Sequence, residues 1–387
     1  MDFKLGEKAE EVRRQIKAFL AREYGPEERE YQRVHGDGHE WALYKKLAAE
    51  GWVSAAWPEE YGGAGRDPYE ILTLYWELSK ADFPWFGLLN NGFLGHTLMA
   101  LGTQKQKKEL VPAIAAGEIC MALGYTEPSS GSDVAGARTT ARREGDHWII
   151  DGQKMFTTIA HMSQYIFALT RTDSTASKHR GLTMFLVPTD SDGVEIHPIN
   201  TMGGERTNAV FFDNVKISDE LRVGDVNGGW AVILFALGLE QAMGYSDRHQ
   251  AYLEQVEHWA CSVAEDGAVP IEDSGIQERL AQTAINAEVS RLLRQRSTWI
   301  QAEGGDVSVA GPMTKALSAI LFVDDAKLWI DILGPEGVLE RGSESALADG
   351  VFPEIYRATP VTTIYGGTVE ILRSMIAQAG LGLPRSR

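Results

Sequence analysis

A stretch of small and hydroxyl-bearing residues runs from Leu123 to Gly136, with the sequence LGYTEPSSGSDVAG. Gly131 and Gly136 leave the backbone open to close approach by a ligand. Successive amide groups and the hydroxyls of such a segment can surround an anion, for example a pyrophosphate. The same composition suits an ordinary loop between a helix and a strand, so the residues alone leave both interpretations open.

A second segment, DGQKMFTT, extends from Asp151 to Thr158. It predicts a turn that enters a strand, with Phe156 and Thr158 on one face because side chains alternate along a strand. An aromatic ring beside a hydroxyl suits a flat heterocycle, since the ring packs and the hydroxyl forms a hydrogen bond. Taken alone, Phe156 fits an ordinary aromatic core position better.

A third segment, IYGGTVEILR, covers Ile364 to Arg373. A strand-like entry meets two glycines, and Thr368 then stands where it can cap the start of a helix. A helix N-terminus behind a Gly-Gly turn suits an anion or a carbonyl oxygen. A simple capped helix is the alternative.

The fourth feature is Glu240, in the apolar sequence FALGLEQAMG. A carboxylate in such a helix is costly unless it is paired, and its desolvation raises the pKa toward the range of a general base. The alternative places Glu240 at the solvent edge of the helix.

The sequence lacks the motifs that mark several other kinds of catalytic and binding site. The chain contains no GxGxxG, GxxxxGK[ST], HExxH or CxxC pattern. His35 and His39 are four residues apart, but the glycines between them predict a loop rather than a metal site. Ser129, Ser130 and Ser132 are candidate nucleophiles without the GxSxG turn that exposes such a serine.

The overall composition narrows the class of protein. The 387 residues include 37 Lys and Arg against 54 Asp and Glu, a net charge of −17 that repels nucleic acid and anionic lipid. Two cysteines exclude a disulfide scaffold and suit a reducing compartment. The longest apolar stretch, Trp230–Leu239, is about half the ~20 residues that a membrane-spanning helix needs. With a charged N-terminus in place of an export signal, we expect a cytoplasmic protein.

The hydrophobic period changes twice along the chain and predicts three domains. Residues 1–117 show helical spacing, and residues 118–225 show short β-branched and aromatic runs that predict an antiparallel β-barrel. The expected turns are Gly145-Asp146, Asp151-Gly152, Asp192-Gly193 and Asp213-Asn214. Residues 226–387 return to helical spacing and predict a helical bundle. Its expected helices are Trp230–Met243, which would be central, Glu278–Gln301, Met313–Leu333 and Thr368–Ala379.

Together, the four segments resemble the acyl-CoA dehydrogenase family. TEPSSGSD is similar to the family's TEPGAGSD, DGQKMFTT to its NGQKMWIT, and HRGLTMFLV, FFDNVKIS and IYGGTVEILR follow in family order. The resemblance covers essentially the whole chain. It implies an α+β fold with an N-terminal all-α domain, a middle β-barrel and a C-terminal four-helix bundle that forms the core of a tetramer.

The resemblance also implies FAD as cofactor, an acyl-CoA as substrate and an electron-transfer flavoprotein as electron acceptor. It would have the chain convert its substrate, a fatty acyl or steroid side-chain thioester, to a trans-2-enoyl-CoA. By motif match, the residues at the cofactor would be Leu123, Tyr125, Thr126, Gly131, Ser132, Phe156, Thr157, Thr158, Gly367 and Thr368. The residues at the substrate would be Ser132, Gln241 and Gly366.

The resemblance also points to the catalytic base. Many members carry it in a YEGT motif, which here reads YGGT, so Gly366 cannot act as a base. A branch similar to isovaleryl-CoA and long-chain dehydrogenases places its Glu on the first bundle helix, in a pattern like LDLERL. Here LGLEQA puts Glu240 at that point, with Gln241 replacing the usual Arg. The Gly366 amide and a flavin ribityl hydroxyl would stabilise the enolate oxygen.

One region departs from the family pattern. The Arg, Phe and Gln with which members grip a neighbour's flavin align with Val263, Asp266 and Ser274. A similar loss occurs in heterotetrameric members that act on steroid side-chain CoA esters, so we expect an α₂β₂ assembly with a related chain. Two alternatives stay open: a non-catalytic scaffold subunit of such a tetramer, and an oxidase of the same fold.

Overall fold

The N-terminal part of the protein is helical, as its sequence predicts. The computed structural model describes residues 3–240, 245–263 and 267–384. The first six helices are α1 (Glu7–Glu23), α2 (Pro26–His35), α3 (Trp41–Ala49), α4 (Pro68–Lys80), α5 (Phe86–Leu101) and α6 (Gln104–Ala115). The apolar positions spaced three and four apart in α1 are buried, among them Val12, Ile16 and Phe19.

The middle part forms one eight-stranded sheet. Its strands are β1 (Met121–Gly124), β2 (Thr140–Glu144), β3 (His147–Lys154), β4 (Tyr165–Arg171), β5 (Leu182–Pro188), β6 (Val194–Asn200), β7 (Arg206–Ser218) and β8 (Arg222–Val223). They are ordered β6-β7-β3-β2-β4-β5-β8, with β1 beside β4. Most pairs are antiparallel, as expected, but β1 and β2 both pair with β4 in parallel.

Two of the four expected turns are wrong. Gly145-Asp146 and Asp192-Gly193 do separate strands, but Asp151-Gly152 and Asp213-Asn214 lie inside the long strands β3 and β7. The register of these strands shifts between Ile150 and Gly152. Asn214 adopts φ 51°, and its amide donates to the Asp151 carboxylate at 2.8 Å. The turn-forming residues therefore build a β-bulge, which accommodates an extra residue without ending the strand.

The C-terminal part is helical again. Its helices are α7 (Gly229–Glu240), α8 (Ser246–Ala260), α9 (Ser274–Ala302), α10 (Ala310–Leu333), α11 (Val351–Ala358) and α12 (Val369–Met375). The sequence predicts Trp230–Met243 to be the central helix of the C-terminal bundle. This is wrong for its described part, because α7 packs mainly against α5 and β5. None of the described helices is long and apolar enough to cross a bilayer.

The entry to the Gly-Gly segment also differs from expectation. Residues Thr359–Thr363 form a 3₁₀ helix, and Ile364 to Gly366 form a turn rather than a strand. Ile364 has helical backbone angles, and none of the described strands lies beside it to supply the hydrogen bonds of a ladder. The helix after the glycines is present, with Thr368 as its cap.

Buried apolar side chains of the described residues form three clusters. One joins the N-terminal helices to the sheet and to α7, and includes the fully buried Phe167 and Ile233. A second lies on the other side of the sheet around Phe185. A third fills the C-terminal helices around Val256 and Trp329. Because the first cluster crosses between helices and sheet, the loops at the end of β1 rest on a packed support.

Candidate active site

The loop after β1 begins on a rigid base. β1 pairs with β4 so that Leu123 lies opposite Phe167, and the ring of Tyr125 lies 6.2 Å from the ring of Phe167. Two residues later, Glu127 and Ser130 exchange backbone hydrogen bonds of 2.9 and 3.0 Å. The TEPSSGSD motif therefore starts as a tight reverse turn.

A buried ion pair joins this turn to the end of β3. The Nζ of Lys154 donates to Oε1 of Glu127 at 2.7 Å and to the Leu169 carbonyl at 2.6 Å. The same Glu127 carboxylate accepts from the backbone amides of Arg138 and Thr139, at 2.6 and 3.0 Å. Side-chain exposure is 0% for Lys154 and 4% for Glu127.

Both members of this pair have shifted pKa values. Burial lowers the pKa of Lys154 to about 8, against the opposing attraction of Glu127. Burial alone would raise the pKa of Glu127, but the Lys154 ammonium and the two amide donors bring it below its ordinary value. Both groups are therefore mainly charged at neutral pH, and each needs the other because an unpaired buried charge is costly.

The residues after β3 form an unusual backbone segment. The expectation of a strand with Phe156 and Thr158 on one face is wrong, because β3 ends at Lys154. Phe156 and Ile159 instead adopt φ values of 56° and 59°, which bulky residues rarely adopt. This conformation leaves the Phe156 ring 61% exposed. The amide of Met155 donates to the Thr126 carbonyl at 2.8 Å, so the segment lies directly beside the TEPSSGSD turn.

Asn208 of β7 holds this segment from the other side. The Thr157 amide donates to the Asn208 carbonyl at 2.9 Å, and the Asn208 side-chain amide donates to the Thr157 carbonyl at 3.0 Å. His161 continues the chain of contacts, with Nδ1 3.2 Å from the Asn208 amide nitrogen and Nε2 2.9 Å from Asp37. Because the Asn208 nitrogen is a donor, His161 accepts at Nδ1 and donates from Nε2.

The two segments joined by the Met155–Thr126 hydrogen bond carry several hydroxyl groups and an open glycine. Within the described part of the chain, the buried Ser130 Oγ and Thr157 Oγ1 have no hydrogen-bond partner. Thr158 Oγ1 lies 3.1 Å from Thr207 Oγ1 and keeps further hydrogen-bonding capacity. Gly131 and Ser132 are exposed, and a side chain added at Gly131 would meet only open space. This surface can therefore accept a flat, polar ligand.

The Gly-Gly turn is fixed by α10 rather than by the sheet. The buried Lys315 donates to the carbonyl oxygens of Tyr365 and Gly367, the latter at 2.8 Å. Gly366 and Gly367 have φ values of 62° and 93°, which favour glycine. Thr368 Oγ1 accepts from the Ile371 amide at 3.3 Å and so begins α12.

The segment that follows α7 reaches the same face of α10. The amide of Tyr245 donates to Ser318 Oγ at 3.3 Å, one turn of α10 from Lys315. The rings of Tyr245 and Tyr365 lie 6.0 Å apart. Glu240 is the last residue of α7, but its side chain, like the whole of Gln241, lies outside the described residues.

Two of the three positions at which the sequence predicts the loss of the family's flavin grip are described. Val263 is 71% exposed, and Ser274 is an exposed residue at the start of α9. Asp266 lies outside the described residues. Neither described side chain offers the cation or the amide of the family pattern.

Comparison with known proteins extends across all three parts of the chain. Profiles of the acyl-CoA dehydrogenase N-terminal, middle and C-terminal domains match residues 6–118, 122–215 and 227–381. The chain belongs to the acyl-CoA dehydrogenase family. Acyl-CoA dehydrogenases are FAD-dependent oxidoreductases, and this protein is an acyl-CoA dehydrogenase by its fold and its sequence.

Similar acyl-CoA dehydrogenases match over nearly their full length. The protein is 33% identical to FadE26 of Mycobacterium tuberculosis, covering 97% of each chain, and 34% identical to IpdE1 of the same organism, covering 97% of this chain and 98% of that one. Among solved structures, it matches the steroid ACAD (acyl-CoA dehydrogenase) Tcur3481-Tcur3483 with a TM-score of 0.93 and 35% identity, and the Mycobacterium tuberculosis ChsE4-ChsE5 complex with 0.92 and 31%. Both of these matches cover 100% of each chain.

The residues present fit the family's cofactor. The exposed Phe156 ring offers a face to a flat ring system, and the buried, unpartnered hydroxyls of Ser130 and Thr157 offer hydrogen bonds. The space beside Gly131 allows a ligand to approach the backbone. The donor set consists of hydroxyls and amides, which suits an isoalloxazine and a pyrophosphate.

Sequence reasoning missed the residues that support this acyl-CoA dehydrogenase site. It assigned no role to the buried ion pair of Glu127 and Lys154, to Asn208 or to Lys315. The same argument that singled out Glu240, the cost of a charge among apolar residues, also applies to Lys315 in the sequence GPMTKALSAILF. No comparable signal marks Asn208, because its role depends on a contact with Thr157, which lies 51 residues away in the sequence.

Proposed function

We propose that this acyl-CoA dehydrogenase removes hydrogen from Cα and Cβ of a CoA thioester and releases a trans-2-enoyl-CoA. The substrate class we propose is the CoA thioester of a steroid side chain. The similarity to a steroid ACAD over the whole chain supports this choice over a simple fatty acyl chain.

The cofactor would be held by residues of all three segments. Phe156 would pack on the ring system, with Thr157 and Thr158 as hydrogen-bond partners. The other contributors would be Leu123, Tyr125, Thr126, Gly131, Ser132, Gly367 and Thr368. Bound FAD would supply the acceptor for the hydride that leaves Cβ of the substrate.

Glu240 is the proposed base. Its carboxylate takes the proton from Cα, and the electron pair of that C–H bond forms the Cα–Cβ double bond as the hydride departs. Gly366 has no side chain that could take a proton, so it contributes its amide, which donates to the thioester oxygen as negative charge develops there. Gln241 and Ser132 would contact the substrate.

The observation that carries this proposal is the meeting of two segments on α10. Tyr365 and Gly367 are bound by Lys315, and Tyr245 is bound by Ser318 one helical turn away. The turn that contains Gly366 and the chain that follows Glu240 therefore lie against one helix face. Base and oxyanion donor would approach the substrate from these two segments.

We further propose that the active form is an α₂β₂ tetramer that passes its electrons to an electron-transfer flavoprotein. The similar ChsE4-ChsE5 structure is a complex of two different chains, which supports a mixed assembly. The exposed Val263 and Ser274 offer no grip for a neighbour's flavin, and this favours, as a second candidate, a scaffold subunit that does not turn over substrate.

One experiment separates these functions. The protein is co-expressed with candidate partner chains, and the flavin of the purified complex is titrated anaerobically with butyryl-, octanoyl- and steroid side-chain CoA thioesters. Bleaching by the steroid thioester supports the proposal, and bleaching by none of them supports the scaffold role. Fast reoxidation by oxygen as the sole acceptor would indicate an oxidase instead.

A further inference from the structure

A buried cation lies behind the Gly366 turn. Lys315 is 4% exposed and stands in a stretch of α10 that carries no other charged residue between Ala310 and Val323. Its Nζ donates to the carbonyl oxygen of Tyr365 and, at 2.8 Å, to that of Gly367. It also lies 5.8 Å from the centroid of the Tyr365 ring. Burying an ammonium group is costly unless it forms hydrogen bonds. The two carbonyl oxygens accept such bonds from Lys315.

The two carbonyl groups lie on either side of the Gly366 amide, which is the proposed donor to the thioester oxygen. The carbonyl of Tyr365 and the N–H of Gly366 belong to one peptide group, which is planar and trans. In a trans peptide, the C=O and the N–H point in opposite directions. A contact that fixes the Tyr365 oxygen toward Lys315 therefore directs the Gly366 N–H away from α10.

Two adjacent glycines would otherwise leave this direction loosely defined. Gly366 and Gly367 each have access to many backbone conformations, and neither has a side chain to pack. Lys315 binds the carbonyl oxygens of Tyr365 and Gly367, the residues on either side of Gly366. It therefore restricts the rotation of the Tyr365–Gly366 and Gly367–Thr368 peptide groups. The ammonium also polarises the Tyr365–Gly366 peptide group, because hydrogen bonds in a chain strengthen one another by ~10–30% each.

We infer that Lys315 is a positioning residue for the dehydrogenation. It orients the Gly366 N–H toward the thioester oxygen and makes that N–H a stronger donor. The inference rests on the proposed function, in which Gly366 is the oxyanion donor. Lys315 touches neither substrate nor proton in this scheme and acts through the backbone of the Gly366 turn.

The test compares Lys315→Met with Lys327→Met in the FAD-loaded enzyme. Lys327 lies on the same helix, is 59% exposed and pairs with Asp324 at 3.6 Å, so its loss controls for charge removal from α10. The readout is the infrared carbonyl stretch of bound trans-2-octenoyl-CoA labelled with ¹³C at the carbonyl. This frequency reports the strength of hydrogen bonds to the thioester oxygen and does not depend on turnover.

We expect wild type and Lys327→Met to lower the frequency of the bound carbonyl equally. Lys315→Met should return the frequency most of the way to that of free ligand. It should lower kcat by roughly 10- to 100-fold, less than the ~10²–10³ seen when an oxyanion donor is removed outright, and change KM much less. Lys315→Gln keeps a neutral donor, so it should give an intermediate shift. If Lys315→Met does not fold, Lys315→Gln is used for the test in its place.

An unchanged carbonyl frequency in a folded, FAD-bound Lys315→Met or Lys315→Gln protein overturns the inference. So does a wild type in which binding leaves the carbonyl frequency at the free value. A further outcome is that the wild type shifts the carbonyl frequency of the bound ligand while no acyl-CoA reduces its flavin. In that case Lys315 still orients the Gly366 N–H, and the proposed function is overturned.

Discussion

Glu127 and Lys154 form an ion pair of 2.7 Å in the interior of the protein, between the loop after β1 and the end of β3. The two residues belong to the two sequence motifs that would face the flavin. Beside the pair, the Met155 amide binds the Thr126 carbonyl. The pair therefore fixes the distance between the two motifs, and its loss should affect both.

Replacing Lys154 by Met should strongly destabilise the protein. The Glu127 carboxylate would stay buried without its cation, and breaking a buried pair in this way costs about 3–5 kcal/mol. Urea unfolding of the purified protein measures the loss. The double variant Glu127→Gln/Lys154→Met should recover part of it, because no charge is then left unpaired.

Lys178→Met provides the matched control. Lys178 pairs with Asp133 of the same loop, but the two side chains are 50% and 59% exposed. Exposed pairs contribute about 0–1 kcal/mol. Equal losses of stability for Lys154→Met and Lys178→Met would contradict the structural role of the buried pair.

His39 should make the stability sensitive to mild acid. Burial, with a smaller contribution from His161, lowers the pKa of His39 from 6.5 to about 4. The folded state keeps the ring neutral while the unfolded state takes up a proton below pH 6.5, so stability falls as the pH drops from 6.5 toward 4. By linkage, this residue should account for a loss of about 1 kcal/mol between pH 7 and 5.5.

The comparison uses His39→Gln, which does not titrate in this range. The free energy of unfolding of wild type and variant is measured at pH 7 and 5.5. Wild type should lose about 1 kcal/mol more than the variant. Parallel losses in the two proteins would mean that His39 does not carry this pH dependence.

Thr158→Val should slow flavin reduction while FAD stays bound. The substitution nearly preserves volume and removes one hydroxyl, and a hydrogen bond contributes about 0.5–1.5 kcal/mol, or roughly 2- to 10-fold in rate. Anaerobic stopped-flow absorbance measures the rate. Thr207→Val removes the protein partner of Thr158 at 3.1 Å and should have the smaller effect. An unchanged spectrum and rate in Thr158→Val would place Thr158 away from the flavin.

Assembly with a second chain should be required for tight flavin binding. The chain expressed alone should bind FAD poorly or be unstable, since a bound ligand stabilises the folded state by mass action. The co-expressed complex should sediment as α₂β₂ with one FAD per pair of unlike chains. Analytical ultracentrifugation with flavin quantitation measures both. A stable homotetramer with one tight FAD per chain would contradict the mixed assembly.

The outline of the fold could be predicted from hydrophobic periodicity. The helical spacing of residues such as Val12 and Ile16 and the β-branched runs gave the correct order of helices, sheet and helices. The domain boundaries at 117 and 225 stay predictions. The prediction of turns from residue type was wrong at Asp151-Gly152 and Asp213-Asn214, because the same residue types also form β-bulges within paired strands.

The site was predicted in its motifs but not in its geometry. The spacing of Phe156 and Thr158 suggested a strand, whereas neighbouring elements hold this segment at positive φ. Asn208 lies 51 residues from its partner Thr157, and Lys154 lies 27 residues from its partner Glu127, so a single sequence does not reveal these contacts. Local pattern thus predicts which residues face the ligand, a prediction that stands untested, and gives no sign of the residues that position them.

The central claim is that Glu240 is the base, and the rate of flavin bleaching in Glu240→Gln tests it most directly. The variant should keep its FAD spectrum, but mixing it anaerobically with the acyl-CoA that bleaches wild type should reduce the flavin far more slowly. A general base is worth roughly 10²–10⁴ in rate, and the weak acidity of this C–H bond favours the upper end. Glu257→Gln, at an exposed position of α8, should bleach like wild type. Bleaching of Glu240→Gln at the wild-type rate would contradict the account.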